Sequence, residues 1–403
     1  MNNDLKNEQR TLSPIADYHT PAMPTDIATK RMIGWVWQQF NEPSESEPFI
    51  GVSDLDELTR RTLEDVVAPP ACGPLLKDFD TYFQPQLAHP GSGPRLQLVL
   101  FPPGDRNDLL GNWAQQNGLE VLAPPDRREL LKPALDTAEL VKSFNTQTSK
   151  VLTTSPTDLL VIPNLQRWFL RNENGLTYVR RLFDRLDNSD RHVIVGCNTW
   201  AWDFLCKATQ SDLVLPPGLT LRPFGATELR DWFQTLEAEG EVAWKIRLAS
   251  SGLDVFSEDA SKSHYFEGLA AESLGIAWVA WHRWRNSLRI EKQTDRGEHA
   301  LKSRKKIPED ERTLWVAPMP TLKLPSEHIE QATLVLQSLM IHGGLTVDEL
   351  RMTVPIVGEL RVVSSLIRAG FVRRDDCGLQ IVPTAYPEIR RELVSDGFPH
   401  PDL

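Results

Sequence analysis

The residues best suited to handle a charged ligand lie in "PPGDRNDL", positions 102–109, which follow the apolar run "LQLVLF". A strand, a tight turn and a helix start would gather backbone N–H groups at a helix N-terminus, where a phosphate is favoured. Phosphate chemistry of the pattern GxxxxGK[ST] needs glycines for close backbone approach, a lysine for charge and a hydroxyl for magnesium. In that register Pro102 replaces the first glycine, Asn107 the second, Asp108 the lysine and Leu109 the hydroxyl. Proline removes an amide donor, aspartate repels a polyphosphate, and leucine cannot bind a metal. Gly104, Asp105, Arg106 and Asn107 are left as the residues that could still touch a nucleotide. The plainer expectation is a strand-to-helix turn with Asp105 or Asn107 capping the helix.

Two further steps end apolar runs with polar residues. "LLVIPNLQ" places Pro163 and Asn164 where a magnesium-binding, water-polarising acidic pair would stand, with Gln166 just beyond. None of these side chains is a general base at neutral pH. "VIVGCN" ends in Asn198, able to contact a phosphate or an attacking water, or to cap the helix "TWAWDFLCKAT" with Thr199. The nine histidines show no HxxxH spacing and the four cysteines form no CxxC pair, so no metal site and no disulfide framework is expected. No nucleophile elbow is present either.

The elements that would position these groups follow from patterning. A chain of 403 residues is long enough for two or three domains, and 40% hydrophobic with 25% charged residues is an ordinary globular composition. No apolar run approaches the roughly 20 residues of a membrane span, and no apolar segment follows the N-terminal charges, so a cytoplasmic protein without membrane insertion is expected. The net charge of −11 disfavours a general nucleic-acid coat. Residues 1–25 read as a disordered lead and 26–94 as a helical N-terminal region carrying "DIATKRMIGWVWQQF" and "SDLDELTRRTLEDVV", then Pro- and Gly-rich turns. From 95 to 238, unalternating apolar runs alternate with helical spacings, which implies a parallel sheet buried on both faces. Residues 239–313 read as a helical lid with a charged connector, and 240–290 as wholly helical. Residues 314–403 read as helix, helix, helix and hairpin, with Thr346 capping the second helix.

Taken together, strand–loop–helix, a strand ending in Asn164, a strand ending in Asn198, "LTLRPFGATELRDWF", a lid and a winged helix resemble the AAA+ and STAND class of P-loop ATPases over roughly 95–395. The resemblance implies a three-layer, parallel-sheet P-loop-NTPase-like α/β core with a helical lid and a C-terminal winged-helix domain. It implies a sensor role for Asn198 and a nucleotide-reaching arginine in the lid. At that point Gly275 is followed by Ile276, Ala277 and Trp278, with Arg283 and Arg285 two turns later. Trp278, Trp281 and Trp284, three apart, should share one side of a helix. Losing the lysine, the acidic pair and the lid arginine together points to a non-catalytic scaffold or regulator acting through protein contacts, with no cofactor expected. The alternative is an ATP- and magnesium-binding switch using Arg106 and Asn198.

The winged helix carries a second alternative, DNA binding. "VGELRVVSSLIRAG" would enter the major groove with Arg361, Ser364, Ser365 and Arg368, while Arg373 and Arg374 in the wing would grip phosphate. Against it, residues 327–403 hold eleven Asp/Glu and seven Lys/Arg. A basic stretch from Arg283 to Lys306, including "KSRKK", is a solvated loop or a docking strip for nucleic acid or an acidic partner.

Overall fold

The computed structural model describes residues 12–24, 50–51, 54–58, 73–89, 93–105, 108–130, 159–172, 175–238, 244–257, 264–292, 313–318, 322–355, 361–376 and 378–401. The helical reading of "DIATKRMIGWVWQQF", most of the "SDLDELTRRTLEDVV" pattern, the "KSRKK" cluster, Arg106 and Asn107 lie outside them. The chain divides into two compact units, one drawn from 1–18, 72–222 and 322–403, the other from 19–71 and 223–321.

The first unit is α/β, built on a six-stranded sheet. Its order is Leu12–Pro14, Leu219–Leu221, Leu96–Phe101, Val193–Asn198, Leu160–Ile162 and Glu120–Val121. All neighbours pair in parallel except the first, where Leu12 lies opposite Leu221 in antiparallel register. The expected disordered lead therefore contributes an edge strand. Leu12 is buried, and the Ile15 amide donates to the Gly218 carbonyl at 2.9 Å. Every residue of Leu96–Phe101 and Val193–Asn198 is buried, which accounts for their unbroken apolar runs.

Helix Gly73–Ala88 occupies a stretch that reads as turns because of its prolines. Pro74 sits in the first turn, where no donor is needed, and Pro85 forfeits one hydrogen bond. Leu75, Phe79 and Phe83, four residues apart, offset that loss by burying one stripe. Phe79 and Phe83 meet Trp113 of helix Leu109–Gln116 with ring centroids 5.8 and 5.1 Å away. Burying each such ring stabilises the fold by about 1.5–3 kcal/mol.

The C-terminal part of the same unit has the expected helix order: Ile329–His342, Val347–Thr353 and Arg361–Arg368, then the hairpin Val372–Asp375 with Gly378–Ile381, and a last helix Tyr386–Ser395. Thr346 does cap the second helix. Its hydroxyl accepts from the Glu349 amide while the Glu349 carboxylate accepts from the Thr346 amide, a reciprocal capping box.

The second unit holds a four-stranded sheet in the order Leu55–Glu57, Leu288–Glu291, Thr313–Val316 and Lys245–Leu248, the last pair parallel. So 240–290 is not wholly helical, and the segment read as a helical lid is mixed. Lys-Ile-Arg-Leu buries alternate residues with the period of two that defines a half-buried strand. Leu55–Glu57 likewise forms a strand where a helix start was expected. Among the described residues the unit also holds helices Ala226–Ala238, Tyr265–Glu272 and Ala277–Ser287. Trp278, Trp281 and Trp284 are all buried there, Trp284 stacking on Phe233 at 4.5 Å. Among the described residues no helix is long and apolar enough to cross a membrane.

Candidate functional site

In an open parallel sheet the natural ligand crevice lies beyond the C-terminal ends of strands flanking a reversal of strand order. Leu96–Phe101 is such a reversal, because the chain continues to strands on both sides of it. A cleft of about 900 Å³ opens there, lined by Gly104, Asp105, Asn164, Asn198, Arg127 and His342 among others.

At the phosphate-loop position two helix-start donors are engaged by carboxylates. Asp105 Oδ2 accepts from the Leu109 amide at 3.0 Å, and Asp108 Oδ1 accepts from the Gly111 amide at 3.2 Å. These are the first-turn amides of helix Leu109–Gln116 that an incoming phosphate would need. Asp108 is the cap itself, held in the left-handed region at φ +44°, and Gly104, four residues earlier, lies at φ +95°. The cap is therefore Asp108 and not Asp105 as expected, Asp105 adding a carboxylate contact to the Leu109 amide, and Asn107 lies outside the described residues.

The carboxamides of Asn164 and Gln166 join the backbone of Asn198 in one hydrogen-bonded chain. Gln166 Nε2 donates to Asn164 Oδ1 at 2.9 Å, and the Asn198 amide donates to Gln166 Oε1 at 3.2 Å. Asn198 is used at both ends of its side chain: Oδ1 accepts from the Ala201 amide at 2.7 Å, capping helix Thr199–Thr209, and Nδ2 donates to the Ile341 carbonyl at 3.1 Å. Asn198→Ala should therefore lower the stability of this unit by about 1–2 kcal/mol, chiefly as a lost cap, read as a reduced urea midpoint with an unchanged slope.

Arg127, in the short helix Arg127–Leu130, drew no notice in the sequence and is the centre of the cleft wall. Its Nη1 donates to the Gly344 carbonyl at 2.7 Å, and Nη2 donates to the carbonyls of Gln166 at 2.8 Å and His342 at 2.9 Å. Glu349 lies 3.8 Å away. Burial pulls the guanidinium down to about 10, Glu349 raising it and Arg167 lowering it. Arg171 makes a second tie, donating to Gln337 Oε1 at 2.8 Å and Ser338 Oγ at 3.1 Å. The cleft thus receives the C-terminal end of helix Ile329–His342, whose exposed carbonyls are the negative pole of its dipole. No local signal announces these contacts, since Gln166 lies 39 residues from Arg127 and the hydrogen bonds to 337–344 span 166–217 residues.

The remaining candidates lie on the hairpin and its preceding helix. Arg361, Ser364 and Arg368 share an exposed face of helix Arg361–Arg368, and Ser365 is half-buried. Arg373 is engaged within its hairpin, donating to Gln380 Oε1 at 2.5 Å and pairing with Asp375 at 3.1 Å, while Arg374 is exposed. In the second unit Arg283 pairs with Glu272 at 3.4 Å, and Arg285 lies over the Trp281 ring at 5.2 Å. Among the described residues no three His, Cys, Asp or Glu side chains come together as metal ligands would.

No protein-family model matches the sequence, and no curated protein does. Among solved structures the chain is similar to a mutant RuvB from Thermotoga maritima at 15% identity and a TM-score of 0.30, covering 82% of this chain and 95% of that one. It is similar to the Orc1 protein of Aeropyrum pernix, solved in complex with DNA, at 15% and 0.32, covering 84% and 95%. For Cdc6p from Pyrobaculum aerophilum the values are 12% and 0.31, covering 85% and 100%.

Proposed function

We propose that this chain is a non-catalytic regulatory or scaffold protein on an AAA+/STAND-like plan, acting through protein contacts rather than ATP turnover. One observation carries the reading: the helix-start amides of Leu109 and Gly111 bond to the carboxylates of Asp105 and Asp108. A triphosphate would have to displace two anions of its own sign from those amides, with no lysine to compensate. The carboxamides of Asn164 and Gln166 stand where a water-activating carboxylate is required, and Asn198 is committed to a helix cap and to Ile341. Of the arginines lining the cleft, the buried Arg127 is committed to the carbonyls of His342 and Gly344. The winged-helix part is then a fixed portion of the same body, and its outward surface is what a protein partner meets. Titration calorimetry with magnesium-ATP on the full chain is expected to give no binding heat up to millimolar nucleotide. Micromolar affinity would overturn the proposal in favour of a nucleotide-binding switch.

A further inference from the structure

His342 ends helix Ile329–His342 inside the joint between the sheet and the winged-helix part, 1% exposed. Its Nε2 accepts from the Arg171 amide at 3.4 Å, so the neutral ring carries its proton on Nδ1. That Nδ1 has no hydrogen-bond partner among the described residues, and neither has Nε of the adjoining Arg127. The ring lies 5.0 Å from that of Phe169. Closing the joint therefore strands two donors that water would satisfy in an open form.

We propose that His342 is a proton-operated latch: while neutral it completes the joint, and protonation releases helix Ile329–His342 from the cleft. A proton on Nε2 would point a donor at the Arg171 N–H that it now accepts, and would add a third positive charge beside Arg127 and Arg171. Burial, then Arg127, then Arg171 hold the histidine well below its ordinary value in the closed form. The charged groups on the elements packed around this helix do not offset that. Arg167 adds to the positive side; Glu349 is committed to Arg127 and to the Thr346 amide. Helix Thr199–Thr209 brings Lys207 already paired with Asp203 at 2.7 Å. Helix Val347–Thr353 also brings Asp348 paired with Arg351 at 3.5 Å, and helix Arg361–Arg368 brings Arg361 and Arg368 on its exposed face. Helix Tyr386–Ser395 brings Tyr386, Glu388, Arg390, Arg391 and Glu392, the last two paired with each other at 3.3 Å.

The sign follows from linkage. The open form binds a proton at the ordinary histidine value of about 6.5, the closed form only well below it. The clamp is at full strength above about pH 6.5 and weakens as pH falls, the open-to-closed ratio rising about tenfold per unit. Amide hydrogen exchange on the full chain, expressed as protection factors to remove the intrinsic pH dependence, tests this. Between pH 7.5 and 5.5, protection in Ile329–His342 should fall about tenfold while Leu96–Phe101 keeps its protection. His342→Gln should abolish the fall, and His282→Gln, at the other strongly depressed histidine, should leave it intact. An unchanged wild-type profile, a fall that survives His342→Gln, or equal losses in the sheet strand would each overturn the proposal. If His342→Gln does not fold, the wild-type curve decides alone. An onset near pH 6.5 supports the latch, and an onset only below about pH 5, where carboxylates titrate, rejects it.

Discussion

Arg127→Ala is expected to destabilise the α/β unit by about 3–5 kcal/mol, the range for removing one partner of a buried, hydrogen-bonded ion pair. Three carbonyl oxygens, of Gly344, Gln166 and His342, lose their shared donor, and Glu349, 6% exposed, keeps a charge with its cation gone. The His342 carbonyl ends helix Ile329–His342, where no following intrahelical N–H is placed to replace the guanidinium, and the Gly344 and Gln166 carbonyls lie outside that helix. Lysine at 127 should recover only part of the loss, because one ammonium cannot present a planar fork to three acceptors. Urea unfolding at pH 7.5, followed by tryptophan fluorescence, measures both variants. A loss below about 1 kcal/mol for alanine would place Arg127 with exposed surface pairs and remove the clamp from the account.

Gly196→Ala is the second large effect, at about 3 kcal/mol, near the upper end for overpacking a core. A methyl group there would lie 2.3 Å from the Pro163 carbonyl oxygen and 2.7 Å from Leu110 Cδ2. Leu110 can shift its side chain, but the Pro163 carbonyl is backbone at the end of the neighbouring strand Leu160–Ile162. Gly196 has no positive φ, so the requirement is for space and not for a left-handed conformation. The strands carrying Asn164 and Asn198 can approach each other closely only because residue 196 has no side chain. A shift of roughly 6–12 °C in the melting midpoint is expected for a unit of this size. A change under 2 °C would mean that the strands part easily and that the hydrogen-bonded chain is loosely held.

Much of the fold is legible in the chain because it is written in local periodicity. "LQLVLF", "LLVIP" and "VIVGCN" are strands because buried parallel strands need no polar alternation, and Thr346 announces its helix by the T-x-x-E spacing of a capping box. What misled local reading was a local signal overridden by burial. Pro85 and Pro74 made Gly73–Ala88 look like turns, although the Leu75, Phe79 and Phe83 stripe carries the helix. Leu12–Pro14 is too short to register as a strand until Leu221 and Gly218 supply its partners. Lys245–Leu248 alternates over only four residues, too few to stand out beside the helices around it.

The candidate site divides along the same line. Asp108 in place of a lysine, and Pro163 and Asn164 in place of two carboxylates, are statements about side-chain chemistry, and those the amino-acid sequence determines by itself. That the Asp105 and Asp108 carboxylates turn back onto helix amides, and that Asn198 reaches Ile341, only the tertiary structure decided. So did the arrival of a helix end at Arg127, 215 residues away from its His342 partner. The physical reason is range: charge, hydrogen-bonding capacity and periodicity are properties of a residue and its neighbours. The partner that satisfies a buried group is chosen by packing across the whole chain, and no spacing in the sequence encodes it.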